Sequence, residues 1–296
     1  MVQETCIKEK KQVAIISVFA AIFLTGSKTL IGILTGSLGI LSEALHSGLD
    51  LIAAFITYLS VRVSDAPADE DHHYGHGKTE NLSALIETIL LFITCAWIIY
   101  EAMHRLWTGN IHIEVNRWSY IVIISAVIID FWRSRALMKA ARKHNSQALE
   151  ADALHFSTDI WSSSVVLLGL IVSNFGWYYA DVIAALVVAV IVIHVCYRLG
   201  RRSIDVLLDK APIDKVKQIN EILRRITYVM SFHDVKVRIS GADVFVDLSI
   251  NIDPQCTIEK GHQIADDIER IIKEEIPRSI IFVHIEPEKN LHLKKI

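Results

Sequence analysis

The chain has 296 residues, 52% hydrophobic and 21% charged, with 30 basic and 33 acidic side chains and a formal net charge of −3. So much aliphatic content excludes a disordered chain, and the near balance of charge gives no support for nucleic acid as a partner. Four cysteines, Cys6, Cys95, Cys196 and Cys256, lie far apart and form no CxxC pair, so neither a disulfide framework nor a cysteine zinc knuckle follows. The thirteen histidines are the compositional oddity.

Apolar runs near the length of a bilayer crossing occur only in the first two-thirds of the chain. They are Val13–Leu34, Leu38–Val61, Leu82–Met103, Trp118–Met138, Ile160–Phe175 and Asp181–Tyr197. Each suits a helix through a hydrocarbon core about 30 Å thick, although the fifth is short unless it begins near Ala151. The expectation is six transmembrane helices over residues 1–202. The first run is long and no small-residue cleavage site follows it, which argues against a cleaved signal peptide.

Basic residues set the orientation. Lys8, Lys10, Lys11, Arg62, Lys78, Arg133, Arg135, Lys139, Arg142, Lys143, Arg198, Arg201, Arg202 and Lys210 all fall on one side, against Arg105 and Arg117 on the other. Both termini are therefore expected in the cytoplasm.

Residues 203–296 change character. Pro212–Met230 reads as an amphipathic helix with Pro212 in its first turn. Val235–Ser240 and Val244–Ile252 alternate apolar and polar around Gly241-Ala242-Asp243. Thr257–Ile276 carries a helical stripe through Ile258, Ala265, Ile268 and Ile272 until Pro277 ends it, and Ile280–Glu286 is a last strand. The order α-β-β-α-β predicts a cytoplasmic α+β domain, ferredoxin-like or metallochaperone-like, with an antiparallel sheet and helices on one face.

The informative residues are ionisable groups inside apolar spans. The second span reads Glu43-Ala44-Leu45-His46-Ser47-Gly48-Leu49-Asp50, and the fifth begins Asp152-Ala153-Leu154-His155-Phe156-Ser157-Thr158-Asp159. The two segments share one pattern: acid, Ala, Leu, His, three residues, Asp. His and Asp four apart lie on the same helix face. Facing each other, the two helices would offer two imidazoles and two carboxylates to one point, a donor set that suits tetrahedral zinc. The carboxylates would also offset the ion's double charge in a medium where each lone ionised group costs about 2.5–3.5 kcal/mol or more. The alternative is that each His bonds its own Asp as helix–helix glue, which a matched pair makes the weaker explanation.

On these motifs the chain resembles the cation diffusion facilitator family of divalent-metal/proton antiporters, over nearly its whole length. The resemblance implies a transport site at His46, Asp50, His155 and Asp159, with zinc as cargo and Cd2+, Co2+ or Fe2+ as further candidate ions. It implies alternating access, a homodimer in a lipid bilayer, protons as counter-ion, and no enzymatic activity, with an efflux carrier whose main substrate is Fe2+, Mn2+ or Cd2+ as an alternative. A multi-pass protein of a prokaryotic inner membrane is the expected setting.

Further histidines cluster elsewhere. The loop Asp69-Glu70-Asp71-His72-His73-Tyr74-Gly75-His76-Gly77-Lys78 is rich in donors, and the resemblance places an inter-span metal site at Asp69, His72 and His76, with His73 an extra donor. A solvated loop without metal is the alternative. In the tail, His284 and Glu286 share a strand face by alternation, and Asp247 lies on the polar face of its own strand. The family's binuclear tail site corresponds to His233, Asp247, His262, His284 and Glu286, although some members carry His where this chain has Asp247. Scattered surface histidines are the alternative there. The resemblance also implies a subunit-locking charge pair, Lys78 with Asp209. Glu43 and Asp152, three residues before their histidines, are candidates to hold the imidazole rings. Asp130 is expected to pair with Arg133, and Lys28 to snorkel or face a wet cavity. A membrane-tethered metal sensor, an organic-cation exporter and an intramembrane metalloenzyme are the rival functions. A closed four-ligand set argues against hydrolysis, which needs an open metal position.

Overall fold

The computed structural model describes residues 2–35, 38–108, 117–173 and 180–288. Contacts divide it into two units, Met1–Ile204 and Asp205–Ile296. The first consists of six helices: α1 (Val2–Thr35), α2 (Leu38–Ser64), α3 (Lys78–Thr108), α4 (Arg117–His144), α5 (Gln147–Ser173) and α6 (Ala180–Leu207). Among the described residues, Ile7–Leu34, Ala44–Ser64 and Lys78–His104 are long and apolar enough to cross a membrane by composition alone. The fifth helix begins at Gln147, well before its apolar run, so that the acid-Ala-Leu-His segment is helical throughout.

Neighbouring helices pair α1 with α2 and α4 with α5, while α2 and α3 both also touch α5. Gly32 permits one close approach: a Cβ there would come within 2.8 Å of Leu41 Cδ2. Small residues fill one core (Ala14, Ala140, Ala141, Ala148 and Ala153 with Val61, Leu137, Leu149 and Phe156). A second core joins Leu91 and Cys95 of α3 to Val188, Ala189, Val192 and Cys196 of α6. The large apolar side chains Phe23, Phe92, Trp97, Trp132, Trp161 and Tyr197 instead face outward, the inversion expected when the solvent is lipid.

Several polar side chains inside this unit are buried and paired across helices, since an unmet polar atom in hydrocarbon is costly. Lys10 Nζ lies 2.6 Å from Asp65 and 3.0 Å from Glu80, and all three side chains are at most 7% exposed. Ser64 Oγ donates to Glu80 at 3.0 Å, and Asn81 donates to Gln147 at 2.7 Å. Lys10 and Arg133, two of the basic residues on which the expected orientation rests, are buried between helices.

In the second unit, α7 (Ile213–Arg225) follows Pro212 as its N-cap and stops short of the expected Met230, where the chain turns into the sheet. Helix α8 (Ile258–Glu275) is capped by Thr257, whose hydroxyl accepts the Lys260 N–H at 3.2 Å. Strands β1 (Ser231–Ser240), β2 (Asp243–Ile252) and β3 (Ser279–Pro287) form a sheet in the order β1-β2-β3. The sheet is mixed, which corrects the antiparallel expectation. β1 and β2 are an antiparallel hairpin turned at Gly241, whose φ of 59° suits glycine. β3 runs parallel to β2, because the intervening α8 returns the chain to the end where β2 began. Val244, Val246, Leu248, Ile250 and Ile252 of β2 bury one face against Ile219, Ile222 and Leu223 of α7 and Ile264, Ile268 and Ile272 of α8. The other face carries polar residues and the exposed Ile280 and Phe282.

Candidate metal centre

The matched segments of α2 and α5 meet. His155 Nε2 lies 3.0 Å from Asp50 Oδ1 and 3.7 Å from Asp159 Oδ2, and His46 Nε2 lies 3.8 Å from Asp159 Oδ1. Donor atoms of His46, Asp50 and Asp159 all fall within 4.8 Å of one another. Donors on a tetrahedral zinc with bonds of about 2.0 Å stand about 3.3 Å apart; the three contacts of 3.0–3.8 Å are close to that spacing, while His155 falls outside the mutually close group of His46, Asp50 and Asp159. Two of the three contacts, His155–Asp50 and His46–Asp159, cross between α2 and α5, while His155–Asp159 joins residues four apart on α5. His155 is 3% exposed, Asp50 and Asp159 13%, and His46 32%, which makes His46 the open side of the group. An enclosed cavity of about 20 Å³ adjoins His46 and Asp159 and is lined further by Thr94, Cys95 and Thr158; its size suits a single water.

Around the four lies a ring of buried polar groups that spacing alone did not reveal. Lys28 Nζ donates to Ser47 Oγ at 2.7 Å, next to His46, so it neither snorkels nor lies exposed. Thr57 and Ser83 hydroxyls both donate to Glu87, the latter at 3.2 Å. Arg133 Nη1 stands 3.7 Å from Asp130, as the spacing predicted. Asp152 accepts from Ser17 at 3.1 Å and lies within electrostatic reach of His155, whose Nδ1 is buried without a hydrogen-bond partner among the described residues. The Glu43 side chain lies outside the described residues. The signal for this ring was present as ionisable residues within apolar runs, but the partners come from other helices.

In the inter-span loop, Asp69 Oδ1 stands 3.1 Å from His72 Nδ1, Asp69 Oδ2 stands 3.4 Å from His76 Nε2, and the three form a second group able to hold a metal. Backbone N–H groups of His72 and Asp71 donate to Asp69 at 2.6 and 3.1 Å. The His72 amide bond is the main cause that holds the Asp69 carboxyl below the usual carboxylate range. His73 does not join the group; its Nε2 pairs with the Glu70 carbonyl at 3.0 Å.

In the tail, His233, Ser249 and His284 lie side by side across the sheet. Glu286 reaches both histidines, at 3.7 Å from His233 and 3.5 Å from His284. Asp247 sits one row away, opposite Lys236 and Phe282. His262 is on α8, 3.7 Å from Asp266 and 77% exposed. The five expected tail donors thus separate into a group of three and two that stand apart. Asp209 lies 3.7 Å from Arg238 within the second unit, and Lys78 opens α3.

Residues 14–208 match the family model of the cation efflux transmembrane domain, and residues 211–288 match that of the cation efflux protein cytoplasmic domain. The chain belongs to the cation efflux family. Also called cation diffusion facilitators, these proteins are multi-pass membrane transporters, and this chain is a cation-efflux transporter of that type. It is 30% identical over 274 residues to the cation-efflux pump FieF of Shewanella oneidensis, covering 92% of each chain. It is 31% identical over 281 residues to an uncharacterized transporter of Methanocaldococcus jannaschii, covering 94% of this chain and 99% of that one. The metal-bound C-terminal domain of the CzcD transporter from Thermotoga maritima aligns with 27% of this chain and 93% of its own, at 22% identity and a TM-score of 0.26.

Proposed function

We propose that this cation-efflux transporter exports Zn2+ from the cytoplasm in exchange for protons, through His46, Asp50, His155 and Asp159. The observation that carries the proposal is the meeting of the α2 and α5 donors at 3.0–3.8 Å. Two imidazoles and two carboxylates match zinc's tetrahedral preference. Zinc needs the imidazoles neutral and the carboxylates ionised, so loading displaces protons and protonation expels the ion. Ordinary imidazole titrates near pH 6.5, within reach of a physiological proton gradient. Alternating exposure of the group to the two sides then couples zinc exit to proton entry.

The membrane part is assigned to residues 1–202 and the cytoplasmic part to 203–296, with both termini inside, on the distribution of basic residues. Two chains pair as a homodimer, with Lys78 and Asp209 contributing to the lock. Loop and tail donors bind metal for regulation or assembly, not passage. Cadmium, cobalt and iron(II) are the competing cargoes.

Calorimetric titration of zinc and of manganese into the detergent-purified protein, with proton release recorded, tests the assignment. A zinc-specific component and its released protons are expected to vanish in the His46→Ala/His155→Ala variant while loop and tail binding persists. Identical titrations of wild type and variant would move the metal chemistry to the loop and tail, as a membrane-tethered sensor requires.

A further inference from the structure

A metal-binding imidazole is ordinarily oriented by a hydrogen bond from its second ring nitrogen to a carboxylate, carbonyl or water. Among the described residues no carboxylate or carbonyl takes that bond from His155: Nε2 faces Asp50 and Asp159, while Nδ1 is buried and has no protein partner. The ring instead meets its sequence neighbour. Phe156 stands edge-on to it, centroids 5.4 Å apart and planes at 85°. The opposite support of Phe156 is a cation: the Arg133 guanidinium carbon lies 3.4 Å from the centroid of the Phe156 ring. Arg133 is 7% exposed and Phe156 1%.

Arg133 is itself fixed from two directions. Its Nε donates to Ser17 Oγ of α1 at 2.7 Å, and Ser17 in turn donates to Asp152 Oδ2 of α5 at 3.1 Å. Its Nη1 stands 3.7 Å from Asp130 on its own helix. On the residue after Arg133, Ser134 Oγ donates to the Ala153 carbonyl at 2.7 Å. Two successive side chains of α4, Arg133 and Ser134, therefore grip α1 and the turn of α5 that carries His155.

We infer that Arg133 and Phe156 are positioning residues for His155, an arginine–aromatic stack replacing the hydrogen bond that usually fixes a metal-binding imidazole. The inference rests on the transport role proposed above for His155. It also makes a prediction opposite in sign to simple electrostatics. Asp152, Asp130, Asp50 and Asp159 all lie within electrostatic reach of Arg133. A buried cation near a cation site opposes loading, so weakening Arg133 should tighten zinc if charge were its only influence. If it positions His155, zinc weakens instead.

The test uses the full chain, with zinc as probe. Arg133→Lys keeps the charge but loses the flat guanidinium face and the Nε donor. Arg133→Gln removes the charge, and Phe156→Leu keeps bulk without the ring. Zinc affinity at the intramembrane component, zinc flux in proteoliposomes and the thermal midpoint are recorded for each, with loop and tail binding as the internal check of folding. All three variants are expected to raise the intramembrane zinc dissociation constant about 10–100-fold. The double variant Arg133→Lys/Phe156→Leu should be no worse than the worse single, because both lie on one line of support. A merely structural role would lower the midpoint and leave the dissociation constant unchanged, and that result overturns the inference, as does tighter zinc binding by Arg133→Gln. His155→Ala separates the two levels. If it removes intramembrane zinc binding while the three variants bind normally, only the positioning role fails. If it binds zinc normally, the transport-site assignment fails, and the positioning role falls with it.

Discussion

Lys10 offers a quantitative test of how the helix unit holds charge. Its ammonium is 1% exposed and lies 2.6 Å from Asp65 and 3.0 Å from Glu80, themselves 7% and 2% exposed. The three residues join the first turns of α1 to the end of α2 and the start of α3. Lys10→Met keeps the length and most of the volume but leaves two buried carboxylates facing each other. Removing one partner of a buried ionic set ordinarily costs about 3–5 kcal/mol, through the uncompensated charge left behind. The contrast is Lys143→Met: Lys143 is 56% exposed and pairs with Glu9 at 2.5 Å, a solvent-screened setting whose loss should be barely measurable. Equilibrium unfolding of the detergent-solubilised chain, followed by tryptophan fluorescence, should show the difference between the two variants. The triple neutral variant Lys10→Met/Asp65→Asn/Glu80→Gln should regain most of the loss, since buried ionic sets are often near neutral overall. A loss below about 1 kcal/mol for Lys10→Met would refute a dry, compensated cluster and indicate water among the three residues.

Other consequences are open to simpler assays. The Asp69 carboxyl is held below the usual range, mainly by the His72 N–H. The ordering it gives the loop should therefore persist down to about pH 4 and disappear as pH falls further, through the lowered value. Amide exchange at His72 against pH measures this, and Asp69→Asn should abolish the transition. Ile268 is fully buried between α8 and the sheet, so Ile268→Ala should lose about 2–5 kcal/mol. Ile258→Ala, at 94% exposed, should change stability by less than about 0.5 kcal/mol. His284→Ala should lower metal uptake by the tail in equilibrium dialysis while zinc flux through the membrane unit continues; a parallel loss of flux would tie the tail to passage itself.

The His/Asp quartet of α2 and α5 was legible because it is local twice over. Each His and its Asp lie four residues apart on one helix, and the repeat of Ala-Leu-His beside an acid marks the two helices as partners. The loop group was legible for the same reason: Asp69, His72 and His76 fall within eight positions, and one turn of chain brings them together. What spacing hid is set by contacts between distant elements. Ser17 reaches Asp152 across 135 positions, and no periodicity announces that. Sequence does not distinguish a loop cation from one folded inward against carboxylates, as Lys10 and Arg133 are. The family resemblance makes His73 an extra donor beside its neighbours, yet the loop turns it toward the Glu70 carbonyl. In the tail, alternation put His284 and Glu286 on one face correctly, but the parallel direction of β3 follows from a helix-length connection, not from strand pattern. His262 was grouped by family correspondence, and its place on α8 puts it beside Asp266 instead.

The central claim is that zinc crosses the membrane at the α2–α5 donors in exchange for protons. Its most direct test is zinc-driven proton movement in proteoliposomes, read by an internal pH dye, for wild type and Asp159→Ala. The wild type should acidify or alkalinise the lumen in the direction opposite to zinc movement, and Asp159→Ala should show neither zinc entry nor proton exchange. Normal coupled flux in Asp159→Ala would place the pathway elsewhere in the chain, and zinc flux without proton movement in the wild type would leave the site but remove the antiport.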